Sequence, residues 1–327
     1  MVATANSSQT AAGAEGRSPS ASARGAYEWI LLVVAGLFGI VSIWFVGTII
    51  WQSASTFKSQ GLYLLTGANW VPGAGTGLPS QYGGRAMIFG TIETSLIAMV
   101  IAVVIGTGTS LAINFFVPQK MKTFVATVVE LLAAVPSVVY GVWGMLVLAP
   151  WFMNTVGPFL SSIPGGTAVL GTTVAGKSLL LAGLVLAVMV LPTYVAISRE
   201  VIGAVPHELV EASLSLGATR WQTLWKTVLP TARIGLFGAT SLALGRAIGE
   251  TVAVSLVCGG VVGTTFKPLE PGVTIAGWIA TQWGEAVGSD QIGALFALGA
   301  ILMVVSLAMS VFSRRLVARQ RRAAAVV

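Results

Sequence analysis

Charged side chains are scarce in this chain. Asp, Glu, Lys and Arg make up 9% of its 327 residues, where ordinary soluble domains carry about 25%, so most of its surface is not built for water. Cysteine and histidine are nearly absent. Cys258 and His207 are the sole examples of each, which excludes an intrachain disulfide framework and any zinc site assembled from several Cys and His ligands. Asp290 is the one aspartate, and no soluble repeat is visible. The formal net charge of +7 raises the question of a nucleic-acid partner. Its basic residues flank apolar runs, however, instead of interleaving with aromatics in one patch, so no nucleic acid is expected.

What the sequence has in abundance is long apolar runs: 55% of its residues are hydrophobic. About 20 consecutive apolar residues cross a hydrocarbon core as a helix. Six candidate spans follow: Ile30–Trp51, Thr94–Val117, Phe124–Phe152, Leu179–Ile197, Gly235–Gly260 and Ile292–Phe312. The expected fold class is an all-α integral membrane protein with six transmembrane helices. The third span is over-long and carries Glu130 and Pro136; proline removes a backbone donor, so a bend or break is expected there. Residues 1–28 are rich in Ser, Ala, Gly and Thr and read as a disordered tail. Residues 29–52 form the first span, 53–90 an outer connection, 91–315 the main transmembrane domain and 316–327 a basic tail.

Orientation follows from Lys and Arg in the connections. With the N-terminus inside, thirteen fall on the inner side: Arg17, Arg24, Lys120, Lys122, Arg199, Arg220, Lys226, Arg233, Arg314, Arg315, Arg319, Arg321 and Arg322. Four fall outside, at Lys58, Arg85, Lys177 and Lys267. Both termini are therefore expected in the cytoplasm. Among the outer connections, Val273–Val287 reads as an amphipathic helix with Trp278 and Trp283, either anchored at the membrane interface or forming a gate or docking surface.

Gly171–Ser178 matches the phosphate-loop pattern G-x-x-x-x-G-K-S. A working loop of that kind follows a buried strand and opens a soluble helix; this one follows a Pro- and Gly-containing connection and leads into an apolar run, so nucleotide binding is not expected of it. The segment between the fourth and fifth spans, residues 205–230, is different. It is polar enough to leave the bilayer and periodic enough to be helical. Pro206 suits a first helical turn, Glu208 and Glu211 lie near its positive end, and Gly217 can bend it. Two short helices bent at Gly217 are expected, with Leu209, Leu214, Leu216, Trp221, Leu224 and Trp225 supplying apolar stripes.

That segment resembles the cytoplasmic loop of type I ABC-importer permeases, E-A-A, three residues, G, nine residues, I, one residue, L-P. The matches are Glu211, Ala212, Gly217, Leu229 and Pro230, with Ser213 in place of the second Ala and Thr227 in place of Ile. The resemblance implies a MetI-like bundle in which this loop inserts into a cleft of a separate ATPase. ATP and magnesium would be bound there, and this chain would hold no cofactor and catalyse no reaction.

Within the fifth span, Arg246 and Glu250 are four residues apart and on one face of a continuous helix. A charge at the bilayer centre costs about 3 kcal/mol or more, so it pairs or lines a water-filled path. Either the two neutralise each other, or Arg246 offers its donors to a passing oxyanion with Glu250 orienting it. Gly238, Ala239, Ser241, Ala243, Gly245, Ala247 and Gly249 on the same span would allow close, slidable helix contact. The run Arg246-Ala-Ile-Gly-Glu-Thr251 with Val252-Ala253-Val254 resembles the permeases of high-affinity phosphate importers, of the PstC type. So do Glu130–Gly141, with Pro136 and Tyr140, and Leu191-Pro192-Thr193 with Ser198-Arg199-Glu200. The likeness covers about Thr91 to Arg315. It implies import of inorganic phosphate by alternating access, with a sister permease, an ATPase dimer and an extracytoplasmic phosphate-binding protein as partners. Glu130 is a packing or pairing residue or part of the path. A permease for another oxyanion or small solute, and an ion-coupled secondary transporter, are the alternatives.

Overall fold

The structure is a computed structural model that describes residues 21–73, 79–172, 176–263 and 267–324, with side chains described, within these, for residues 28–312, 314 and 315. The N-terminal tail expected over residues 1–28 lies largely outside them. Two units are distinguished, 1–51 and 52–327. The first consists of helix α1 (Ala21–Gln60) as far as Trp51. Its surface is apolar on all sides, with Leu32, Phe38, Ile43 and Trp44 exposed, as befits a helix bathed in lipid. Ser42 and Thr48 return their hydroxyls to the carbonyls of Phe38 and Trp44 one turn earlier, which hides two polar groups from hydrocarbon.

The second unit begins with the end of α1, so that helix continues eight residues beyond the expected limit at residue 52. A short helix α2 (Tyr63–Thr66) and a two-stranded ribbon, β1 (Trp70–Val71) antiparallel to β2 (Gln81–Tyr82), follow. Next come α3 (Arg85–Phe115), α4 (Gln119–Ala134), α5 (Ser137–Ser162), α6 (Gly166–Leu170), α7 (Leu179–Gly203), α8 (His207–Ser215), α9 (Arg220–Ile248), α10 (Val252–Val257), α11 (Ile275–Gln282) and α12 (Ser289–Ala324). Six helices among the described residues are long and apolar enough to cross a membrane: α1, α3, α5, α7, α9 and α12. The number agrees with the sequence, but several boundaries do not: α3 already begins at Arg85, inside the connection expected over residues 53–90.

The expected third span, Phe124–Phe152, is cut at Val135–Pro136. Pro136 caps α5 in an extended conformation, because a proline there denies the helix an amide and pushes its predecessor out of the helical region. The membrane-length helix therefore starts at Ser137 and runs to Ser162, and α4 before it is a separate amphipathic helix. The fifth span was expected over Gly235–Gly260 and instead splits. Helix α9 starts at Arg220 and stops at Ile248 with Gly249 as its cap, and α10 begins only at Val252. The second arm of the hairpin is thus the first turn of α9 and not an independent short helix. At the far end, α12 carries its backbone helix to Ala324, into the segment expected as a tail.

A recurrent device allows prolines inside these long helices. Wider i+5 turns occupy Gly144–Leu148, Phe152–Val156 and Leu224–Val228, and each ends two residues before a proline: Pro150, Pro158 and Pro230. Proline lacks the amide and collides with the carbonyl four residues back; one extra residue in the preceding turn removes the collision without breaking the helix.

Cohesion of the bundle comes from close approach of backbones, since lipid-facing and core-facing apolar groups are chemically alike. A Cβ on Gly106 would strike the ring of Tyr194, one on Gly183 would strike Ile97, and one on Gly141 would meet Ala253. Ala239, Ala243 and Ala247 form a buried stripe on α9. Gly238 and Gly245 lie off that stripe, with open space around them. Hydroxyls tie α3 to α7: Thr107 to Tyr194 at 2.9 Å, and Ser110 to Ser198 at 2.6 Å. At the opposite end from the hairpin, Trp70 stacks edge-on against Tyr82 and Trp278 at 5.0 and 6.0 Å. Helix α11 is where the sequence placed it, capped by Thr274, but Trp278 packs on Trp70 and only Trp283 is exposed.

Candidate functional site

The hairpin between α7 and α9 is built from its turn outward. Pro206 opens α8, whose C-terminal cap is Leu216, and Gly217 follows at φ +84°, a left-handed conformation that costs other residues about 1 kcal/mol or more. Thr219 then starts α9 with a reciprocal cap: its hydroxyl accepts from the Gln222 amide, and its own amide donates to the Gln222 side chain. Ser213 and Thr223 hydroxyls meet at 3.1 Å across the turn. Ser213, one departure from the loop pattern, thereby ties the two arms together.

On the inward side of the hairpin, Leu224, Val228 and Ala232 pack with Leu111, Ile202 and Val205. On its outward side, Leu216 is 89% exposed and Trp221 62%, with Leu209, Trp225, Glu208 and Glu211 also open. Ala212 is exposed on the same arm, while Leu229 is half-buried and Pro230 exposed at the junction with the rest of α9. A cavity of about 210 Å³ lies beneath α8, walled by Phe115, Phe116, Val210, Leu214 and Leu224. The hairpin is a rigid base carrying an uncovered apolar tip, the form a helix takes when it docks into a groove.

The intramembrane charges are arranged differently from the sequence expectation. Arg246 and Glu250 do not share a helix face, because the chain leaves the helix at Gly249. Arg246 sits in the last turn of α9, exposed, and makes no ion pair among the described residues. The negative end of that helix complements its charge. Glu250 turns the other way. Its carboxylate accepts a hydrogen bond from the Ala253 amide at 3.2 Å, complementing the positive end of α10. The break has converted a prospective ion pair into two separate helix-end contacts, which leaves the guanidinium of Arg246 available.

Glu130 has a partner that the sequence did not reveal. Nη2 of Arg199 on α7 donates to its Oε1 at 2.5 Å. The two lie 69 positions apart, and no periodicity links them. Tyr140, which the sequence singled out only through the family likeness, donates its hydroxyl to the Leu132 carbonyl at 2.8 Å, joining α4 to α5 across the Pro136 break. Glu93 is inside α3. At Gly171–Ser178, helix α6 precedes the motif where a phosphate loop would need a strand, and Ser178 uses its hydroxyl to cap α7 by accepting from Leu181. Among the described residues no group of three or more His, Cys, Asp or Glu side chains could hold a metal.

Comparison with known proteins now adds to this geometry. Residues 102–322 match the family described as binding-protein-dependent transport system inner membrane component. The chain is 37% identical to the phosphate transport system permease protein PstC of Xylella fastidiosa over 90% of both chains. The PstC protein of Mesorhizobium japonicum is 36% identical, over 88% of this chain and 86% of its own. That of Pasteurella multocida is 37% identical over 82% of each. Two solved structures share the fold at lower identity. The MetNI methionine ABC transporter in an inward-facing conformation aligns with a TM-score of 0.51 and 21% identity, over 72% of this chain and 95% of that one. A bacterial ABC transporter for the acidic polysaccharide alginate aligns with 0.50 and 18%, over 88% and 98%. An exposed helical hairpin, a multi-pass bundle and a match over most of the sequence thus converge: the chain belongs to the family of binding-protein-dependent transport system inner membrane components, alongside the PstC permeases.

Proposed function

We propose that this chain is a permease subunit through which an ATP-driven importer passes inorganic phosphate into the cytoplasm. Similarity to phosphate permeases over 90% of both chains is the observation that carries the reading. The exposed tip of the hairpin supports a coupling role. Glu211, Ala212, Ser213, Gly217, Leu229 and Pro230 form or brace the surface that a separate ATPase would grip, and α9 would carry the motion from that surface to Arg246 without a joint until Gly249. ATP and magnesium belong to that ATPase, two copies of which would serve one complex. This chain then performs no covalent step of its own. A sister permease would complete the path, and an extracytoplasmic phosphate-binding protein would deliver substrate at the end bearing β1, β2 and α11. The excess of Lys and Arg at the hairpin end supports a reading in which both termini would lie in the cytoplasm of a bacterium, with the chain in its cytoplasmic membrane.

Arg246 fits phosphate chemistry. A guanidinium stays charged at every physiological pH and matches a tetrahedral oxyanion with paired donors. Glu250 lies near enough in sequence to limit net positive charge in an empty path. The test is uptake of labelled phosphate by the purified complex in proteoliposomes. ATP-dependent uptake that excess phosphate suppresses, while sulfate and molybdate do not, is expected. Preference for either competitor overturns the substrate, and uptake without the ATPase overturns the class. Arg246→Ala is expected to abolish uptake with the complex still assembled.

A further inference from the structure

We propose that Arg199 is a second oxyanion station on the same path and that Glu130 is the exchangeable counter-anion that fills it between substrates. This rests on the phosphate reading given above. Arg199 is held firmly. Its backbone carbonyl accepts from Asn114 Nδ2 at 3.0 Å, and the Asn114 carbonyl accepts from Lys122 Nζ at 2.7 Å, so α3, α4 and α7 fix its origin. Its side chain is 15% exposed.

The pairing itself is incomplete. Nη2 reaches one oxygen of Glu130, whereas the buried Nε–H has no partner among the described residues. Arginine–carboxylate pairs are frequently bidentate, with two parallel bonds from one guanidinium edge, and a buried donor left without an acceptor costs about 1–3 kcal/mol. An oxyanion with several oxygens satisfies the whole edge; one carboxylate oxygen held end-on does not. Glu130 is also easy to displace. It is 58% exposed and recovers hydration on leaving.

Placement supports a path from one arginine to the other. Arg199 lies four residues from the end of α7, next to the hairpin, while Arg246 lies in the last turn of α9, the helix that starts at the hairpin. The end of α4 bears Glu130, and the Leu132 carbonyl there accepts from Tyr140 on α5 across the Pro136 break. A phosphate leaving Arg246 toward the hairpin end passes the Pro136 break and then meets Arg199, where it replaces Glu130. When the phosphate departs, the carboxylate returns.

The experiment uses the complete complex in proteoliposomes and measures the kinetics of phosphate uptake with assembly and basal ATP hydrolysis as controls. Glu130→Gln removes the competitor, so phosphate is held longer: kcat and KM are expected to fall together, by about threefold to tenfold. Arg199→Gln is expected to lose uptake by at least tenfold in an assembled complex. The exchanged pair Arg199→Glu with Glu130→Arg restores the charge contact but not the station. Uptake that stays lost in the exchanged, assembled complex upholds the proposal. Recovery there, or an unchanged KM in Glu130→Gln, reduces the pair to a structural tie and overturns it. Failure of the unmodified complex to import phosphate would instead sink the functional reading on which all this rests.

Discussion

Glu250 accepts the amide of Ala253 at 3.2 Å, on the far side of a helix break from Arg246. The carboxylate is therefore a helix-end group. Replacing an acceptor at such a position by alanine costs about 1 kcal/mol. Glu250→Ala is expected to speed hydrogen exchange of the amides near the start of α10 by about fivefold, since local opening free energies set those rates. Glu250→Gln keeps an acceptor oxygen and should leave exchange within about twofold. Equal exchange in both variants would show that the bond at Ala253 does not hold this end of α10.

Gly217 has φ +84° and nothing within 4 Å of where a Cβ would stand. Backbone conformation, and not crowding, is what requires glycine. Gly217→Ala should weaken the turn by about 1 kcal/mol, and Gly217→Asn by less, because asparagine tolerates the left-handed region. The readout is affinity of the permease for its ATPase, expected in the order Gly, Asn, Ala. A bulky residue tolerated as well as Asn would argue that the turn reopens without cost.

The Ser110–Ser198 contact is buried and short, at 2.6 Å. Ser198→Ala leaves Ser110 with only the Val195 carbonyl at 3.4 Å, a cost of about 1–3 kcal/mol. Ser110→Ala together with Ser198→Ala should cost less than the two single changes summed, because the orphaned hydroxyl is gone. Thermal melting of the three variants in detergent provides the comparison. Strict additivity would mean that the two hydroxyls act independently.

Tyr82 predicts an alkaline limit for the end of the molecule bearing β2. Burial raises its phenol above the ordinary value; a hydrogen bond with Ser80 lowers it in part, and the charge of Asp290 raises it further. The folded state thus holds this proton more tightly than the unfolded chain. Its contribution to stability is complete below the unfolded value, about 10, and is lost as pH rises through the elevated folded one. Tyr82→Phe has no proton to lose. Its melting temperature should fall less between pH 10 and 11 than that of the unmodified chain, and parallel curves would contradict the assignment.

Six spans, a hairpin bent at Gly217 and a discontinuity at Pro136 were all readable, because apolar length, glycine at a turn and proline inside a helix each act through one local cause. The error at Arg246 and Glu250 has a local cause too. Glycine is common in membrane helices, so Gly249 carried no visible stop, and i, i+4 spacing was assumed where the helix had ended. Helix α4 was merged with α5 because hydropathy does not distinguish an amphipathic approach from a crossing. Arg199 appeared as an orientation signal and within a family likeness; its partner Glu130 is brought to it by tertiary packing, which no spacing along the chain encodes.

The wide turn at Leu224–Val228 carries a consequence for anyone projecting α9 onto a helical wheel. One surplus residue advances the angular phase by about 100°, so a cylinder drawn at constant pitch from Trp221 assigns everything after Pro230 to the wrong quadrant. Cysteine cross-links planned along this rod should skip one position beyond the turn: reagents aimed by uninterrupted counting would probe a neighbouring azimuth, and negative results from them would say nothing about distance.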